Sequence, residues 1–328
     1  MAILLVILLH AHATVNHLGG DIAAWLTTPN AILRQLRMPL FYFSSGVLAY
    51  WGLDRPWREI LSKRVLALLW VIVLWTMIYA ILNPIIPVNA WEGWVPTGIL
   101  LIKMPFGVLW FIYAILILSV IMKITQPLPL YLQVAAVLMV NAAVLLMVNY
   151  EIIPTWRYLL DNLARYGIFF FAVGCWLAPL MVWFFEDRSR ALPSLAISGG
   201  IWVVDMMLGE FVPLYGKLPV TLRSIPDLVF GVSFAAALTY WSPARRFLSW
   251  LGCRTIGIFL FHPIMIGIAL FLIPPVVMSS ATEVLTIFAL AVGLSVLADR
   301  SARAAGMTWL FNPPRALPLW RPNLEKAA

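Results

Sequence analysis

Met1–His17, MAILLVILLHAHATVNH, is the stretch on which the reading of this chain turns. An unbroken apolar run leads into His10, and His12 and His17 follow; the whole chain holds only four histidines. An ionisable ring at the end of so apolar a run is costly in lipid unless it is used or paired. A secretory signal peptide would account for the run, with Ala11-His12-Ala13 as its cleavage site. That reading needs a positive leading region, and no Lys or Arg precedes the apolar residues. The stretch therefore reads as a membrane helix carrying a working histidine, with the start of the helix missing.

The rest of the chain has the same character. It is 63% hydrophobic and 11% charged, where soluble domains run near a quarter charged. Apolar runs of spanning length recur from end to end, which predicts an all-α polytopic membrane protein with about ten transmembrane helices in one bundle. A β-barrel would show short alternating segments instead. The expected spans are roughly 1–18, 35–52, 65–84, 106–123, 131–149, 165–185, 194–212, 225–241, 255–273 and 282–299. Residues 19–34 read as a polar-to-amphipathic link. Residues 85–105, with Pro87, Trp91, Trp94 and Pro96, read as an interfacial loop. The basic, Pro-rich tail 300–328 is expected along the membrane surface, and the whole of 1–328 as one integral-membrane domain.

The net charge of +8 would raise the question of nucleic acid in a soluble protein, but here the basic residues lie in short loops and report orientation. One set of loops, with the tail, holds 15 of the 22 Lys and Arg, and the other holds 7. With ten spans this places both termini in the cytoplasm. Cys175 and Cys253 have no CxxC spacing and read as inert small hydrophobes.

Several groups of residues bear chemistry. His10 lies roughly 14 Å along its helix at 1.5 Å per residue, about the middle of a ~30 Å hydrocarbon core. An apolar setting favours the neutral imidazole, the form a general base needs. A polar residue satisfied by a neighbouring helix is the equal alternative. His12 points to another face, so the pair is a poor metal site, and no metal site is visible elsewhere. Arg34 and Arg37 cap an aromatic run that ends in Ser45-Gly46. They serve as snorkelling anchors or face an anionic or sugar substrate, and Gly46 allows close helix approach. Pro39 reads as a helix-start proline. Arg55, Arg58, Lys63 and Arg64 form the densest basic cluster between spans, either a topology signal or a grip on a polyanion. His262 precedes a helix-kinking Pro263. Asp205, Glu210 and Asp227 are the acids closest to lipid depth, and each implies a partner or a water-filled cavity.

In order, these pieces resemble the integral-membrane acyltransferase 3 family. LLVILLHAH is similar to its opening helix ending in a catalytic His, here His10. RMPLFYFSSG, from Arg37 to Gly46, resembles its second span, and Lys63-Arg64 the paired basic residues before its third. Leu109-Trp110-Phe111 resembles its LWF signature, and Leu251–His262 its late LGxxTxxIFLxH stretch. The family also places an Arg or Lys eleven residues before the histidine, a position that falls before Met1. The expectation is that the true start lies upstream; a member lacking that residue would be of doubtful activity.

The resemblance implies transfer of an acyl group, acetyl first and succinyl or a longer acyl next. The donor is cytoplasmic acyl-CoA, and the acceptor is a hydroxyl of a cell-envelope or exported glycan or lipid-linked sugar. It implies the bacterial inner membrane, no metal and no nucleic acid. His10 would be the base or carry the acyl group. Arg55, Arg58, Lys63 and Arg64 would hold the CoA phosphates. Arg34, Arg37, Ser45, Trp110, Asp205 and His262 would serve the acceptor or the site's structure. The competing class is a transporter or flippase for a lipid-linked sugar or small solute. It predicts an inverted repeat, and the sequence shows none.

Overall fold

The structure, a computed structural model, describes residues 2–18, 24–86, 107–212, 214–215, 218–273 and 280–314. Among these there is no strand. Helices close their backbone hydrogen bonds within one segment, the requirement that hydrocarbon imposes. In chain order they are α1 (Ala2–His17), α2 (Ala24–Leu53), α3 (Trp57–Leu82), α4 (Gly107–Thr125), α5 (Leu130–Asn149), α6 (Arg157–Glu186), α7 (Ala191–Phe211), α8 (Val220–Leu238), α9 (Ser242–Gly252), α10 (Thr255–Leu272) and α11 (Ser280–Ala304).

Among the described residues eight of these, α3 to α8 with α10 and α11, are long and apolar enough to cross a membrane, where about ten spans are expected. The difference lies in the first two. α1 is apolar but only 16 residues long. α2 runs 30 residues and starts inside the presumed link, because Trp25, Leu26, Ala31, Ile32, Leu33 and Leu36 continue a helical apolar pattern. Pro39 accordingly sits inside a helix and not at its start. Residues 242–252, read as loop, form α9. Its Arg245 and Arg246 alternate with Phe247, Trp250 and Leu251 as in an interfacial amphipathic helix. The loop expected at 85–105 and the tail beyond Pro314 lie almost wholly outside the described residues.

The chain divides into two compact units. The first comprises Met1–Val6, Ala24–Leu53 and Leu118–Cys253. Its centre is the crossing of α2 and α6. Cβ atoms built on Gly46 and Gly174 would stand 2.1 Å from the Phe171 carbonyl oxygen and 2.2 Å from that of Phe43. Each glycine thus faces the other helix's backbone, a close approach that only hydrogen at Cα permits. The Cys175 thiol donates to the Gly46 carbonyl across this seam at 3.3 Å, and neither cysteine is joined in a disulfide. α5 is held to α6 by Trp176 Nε1 donating to Gln133 Oε1 at 2.9 Å. In the α7–α8 pair, Trp202 stacks on Phe230 with centroids 4.6 Å apart and donates to Asp227 Oδ1 at 2.8 Å.

The second unit comprises Ile7–Ala23, Asp54–Ile117 and Arg254–Ala328. α10 and α11 pack closely where Gly257 lies under Asp299; a Cβ there would fall 2.0 Å from Asp299 Oδ1. Asp299 is fully buried and accepts from Arg303 Nε at 2.9 Å, with Arg254 Nε 3.9 Å from its other oxygen. Residues 308–310 form a short 3-10 turn after α11. Two indoles of α3 hold this segment: Trp70 Nε1 donates to the Trp309 carbonyl at 2.7 Å and Trp75 Nε1 to the Leu310 carbonyl at 2.8 Å. Tyr79 of α3 donates its hydroxyl to the Leu260 carbonyl of α10 at 2.7 Å, fixing the height of the two helices against each other.

Candidate active site

The second unit brings two of the four histidines together. His10 of α1 and His262 of α10 stack with ring planes 5° apart and centroids at 5.2 Å. His10 Nδ1 and His262 Nε2 are 3.0 Å apart, a hydrogen-bond distance. His262 is wholly buried, and His10 is half-buried. Neither ring is placed by chance. Thr14 ties α1 locally, its hydroxyl donating to the His10 carbonyl at 2.8 Å.

On α10 the sequence His262-Pro263 is decisive. Proline has no N–H, so Pro263 cannot itself donate to the Phe259 carbonyl four residues back. His262 Nδ1 reaches that carbonyl oxygen at 2.6 Å. Aromatic rings complete the setting. Phe259 lies 5.8 Å from His262 and 5.9 Å from Phe111, and Phe111 packs edge-on against Trp110 at 6.0 Å. Trp110, expected to serve the acceptor or structure, is thus a buried member of an aromatic row that ends at His262.

The basic residues take a different form. Arg55 Nη1 and Lys63 Nζ both contact Glu59 Oε1, at 2.9 and 2.6 Å. Arg58 is exposed, and Lys63 and Arg64 lie on a π-helical turn, Leu61–Val65, that re-aims them relative to a regular helix. Glu59 neutralises part of the cluster, and such exposed pairs are easily exchanged for a stronger anion.

The remaining expected residues belong to the first unit. Arg37 is fully buried inside α2, so it is not a surface anchor. Ser45 returns its hydroxyl to the Phe41 carbonyl at 2.8 Å, an ordinary helix back-bond. The Arg34 backbone is helical, and its side chain lies outside the described residues. Asp205 accepts from the Tyr215 hydroxyl, and Glu210 is exposed. Asp227 pairs with Trp202 and not with a histidine.

Sequence reasoning missed the partnership of His10 with His262 and the buried Asp299. The first carried a signal: these are the two histidines within apolar runs, and two such rings are cheapest when they satisfy each other. Among the described residues no cluster of three or more His, Cys, Asp or Glu is placed to hold a metal ion.

No curated protein and no solved structure matches the chain. A family model described as an acyltransferase domain does, over residues 1–300 of the 328. That match takes in both histidines and every helix that positions them. The chain belongs to the acyltransferase 3 family and is an acyltransferase of the membrane.

Proposed function

We propose that the protein moves an acyl group, acetyl in the first instance, from cytoplasmic acyl-CoA to a hydroxyl of a cell-envelope or exported glycan. His10 is the general base. The observation that carries this reading is the imidazole pair, half-buried His10 against buried His262: a polar, proton-accepting group is held in an apolar place by a dedicated partner. A thioester is already activated, so the reaction needs proton removal and alignment more than a strong nucleophile. His10 takes the acceptor's hydroxyl proton as its oxygen attacks the thioester carbonyl. The C–O bond forms, the C–S bond breaks, and the imidazolium returns the proton to the departing CoA thiolate. Arg55, Arg58, Lys63 and Arg64 bind the CoA phosphates by displacing Glu59 from its pairs. The frame is one integral-membrane acyltransferase domain with both termini in the cytoplasm, in the bacterial inner membrane.

The test is purified protein in detergent or proteoliposomes, given labelled acetyl-CoA and an envelope glycan fraction. Wild type should pass label to the glycan. His10→Ala should keep its fold and its insertion while losing transfer by about 10²–10⁴-fold, the range of a general base. Normal transfer by His10→Ala removes the reading.

A further inference from the structure

We infer that His262 is a positioning residue that sets the tautomer of His10, with the proton on Nδ1 and the lone pair of the base on Nε2. This rests on the assignment of His10 as the base and adds which nitrogen acts and what makes it act.

The proton positions follow from one fixed point. A carbonyl oxygen only accepts, so the 2.6 Å contact between Phe259 O and His262 Nδ1 requires a hydrogen on that nitrogen. Pro263 is compatible with this, because its nitrogen carries no hydrogen to compete for the Phe259 carbonyl four residues back. Charged rings are costly in so apolar a place, so both are neutral. A neutral His262 protonated at Nδ1 carries a lone pair at Nε2. The 3.0 Å partner of that lone pair, His10 Nδ1, must then donate. A neutral His10 with hydrogen on Nδ1 has its lone pair on Nε2. The string runs Phe259 O, His262, His10, with each step fixing the next. It also serves the charged state: once His10 Nε2 takes the hydroxyl proton, the Nδ1–H of the imidazolium already has an acceptor. The task resembles that of an orienting carboxylate beside a catalytic histidine, here performed by an imidazole whose own orientation comes from the Phe259 carbonyl. The nearby described titratable groups agree: Tyr79 donates to the Leu260 carbonyl, and Asp299 is engaged with Arg303.

The experiment is imidazole NMR on the full-length protein, labelled with ¹⁵N at histidine. Four histidines make assignment by single substitution practical. In wild type both His10 and His262 should carry hydrogen on Nδ1; hydrogen on Nε2 of His10 overturns the inference. In His262→Leu the His10 proton should move to Nε2, with kcat down about 10²–10⁴-fold and KM for the donor little changed. In His262→Gln the carboxamide oxygen can accept in place of Nε2, so the tautomer and most of kcat should return. A merely structural His262 predicts less folded protein in both variants and no change of tautomer, and that result also overturns the inference. Should His262→Leu fail to fold, the wild-type spectrum still decides. An active His10→Ala would defeat the proposed function while leaving the tautomer standing. An Nε2–H on His10 beside an inactive His10→Ala would do the reverse.

Discussion

Substitution of Gly46 or Gly174 by alanine tests the packing that organises the first unit. A carbon–oxygen contact needs about 3.3 Å. In Gly46→Ala the new Cβ would stand 2.1 Å from the Phe171 carbonyl oxygen, short by about 1.2 Å, and in Gly174→Ala 2.2 Å from the Phe43 oxygen, short by about 1.1 Å. Both obstacles are backbone, so no side chain can swing aside and the helices must separate by roughly 1 Å. Overpacking of this kind costs about 1–3 kcal/mol, and the upper end is expected where backbone blocks. The Cys175–Gly46 hydrogen bond lengthens with the separation. For a chain of this size that means a melting temperature lower by on the order of 5 °C. The assay is thermal unfolding in a fixed detergent. Because one separation relieves both clashes, the double variant should cost little more than either single one, about 3 kcal/mol and not about 6. Gly200→Ala is the control. Its Cβ meets no atom within 4 Å, so it should be neutral or gain about 0.5–1 kcal/mol from helix propensity. Wild-type melting of both single variants, or additive losses in the double, would refute the reasoning.

Other perturbations have equally definite outcomes. Asp299→Asn weakens the fully buried contact with Arg303 and should cost about 1.5–3 kcal/mol in unfolding, the range for hydrogen bonds to charged groups. Gly257→Ala should lower stability through the same carboxylate, non-additively with Asp299→Asn. Trp75→Phe leaves the Leu310 carbonyl without its buried donor at a cost of about 1–3 kcal/mol, and limited proteolysis after Gly306 should accelerate. Arg58→Gln, exposed on the basic turn, should raise KM for acyl-CoA with kcat unchanged, the pattern of lost uniform binding; an unchanged KM would remove Arg58 from the donor grip.

Local signals were read well from the sequence, and long-range pairings were not. Eight apolar runs announce their helices because a span must be long and continuous. Gly46 announces a close crossing because a glycine amid large aromatic residues has few other uses in a membrane helix. Its counterpart Gly174 passes unnoticed, since nothing in one chain pairs two glycines. Amphipathic α9 is hidden by its short length and its position beside spans, where Arg245 and Arg246 count as orientation charges. The acids closest to lipid depth by sequence, Asp205, Glu210 and Asp227, include one that is exposed. Asp299 at the end of α11 is buried more completely than any of these, because depth in a bundle depends on neighbours as well as on distance along a helix. The motifs of the family name His10 and His262 separately, and only the fold places their rings against each other.

The two rings that meet are 252 residues apart in the chain. At ~5–20 residues per second of synthesis, the second reaches the membrane tens of seconds after the first. Throughout that interval the growing polypeptide has the first imidazole and not its companion. On the proposed mechanism, a nascent chain that ends before α10 has the base without the ring that orients it. On that mechanism full acyl transfer waits for the late helix, so the order of synthesis itself would hold activity back until assembly is nearly complete.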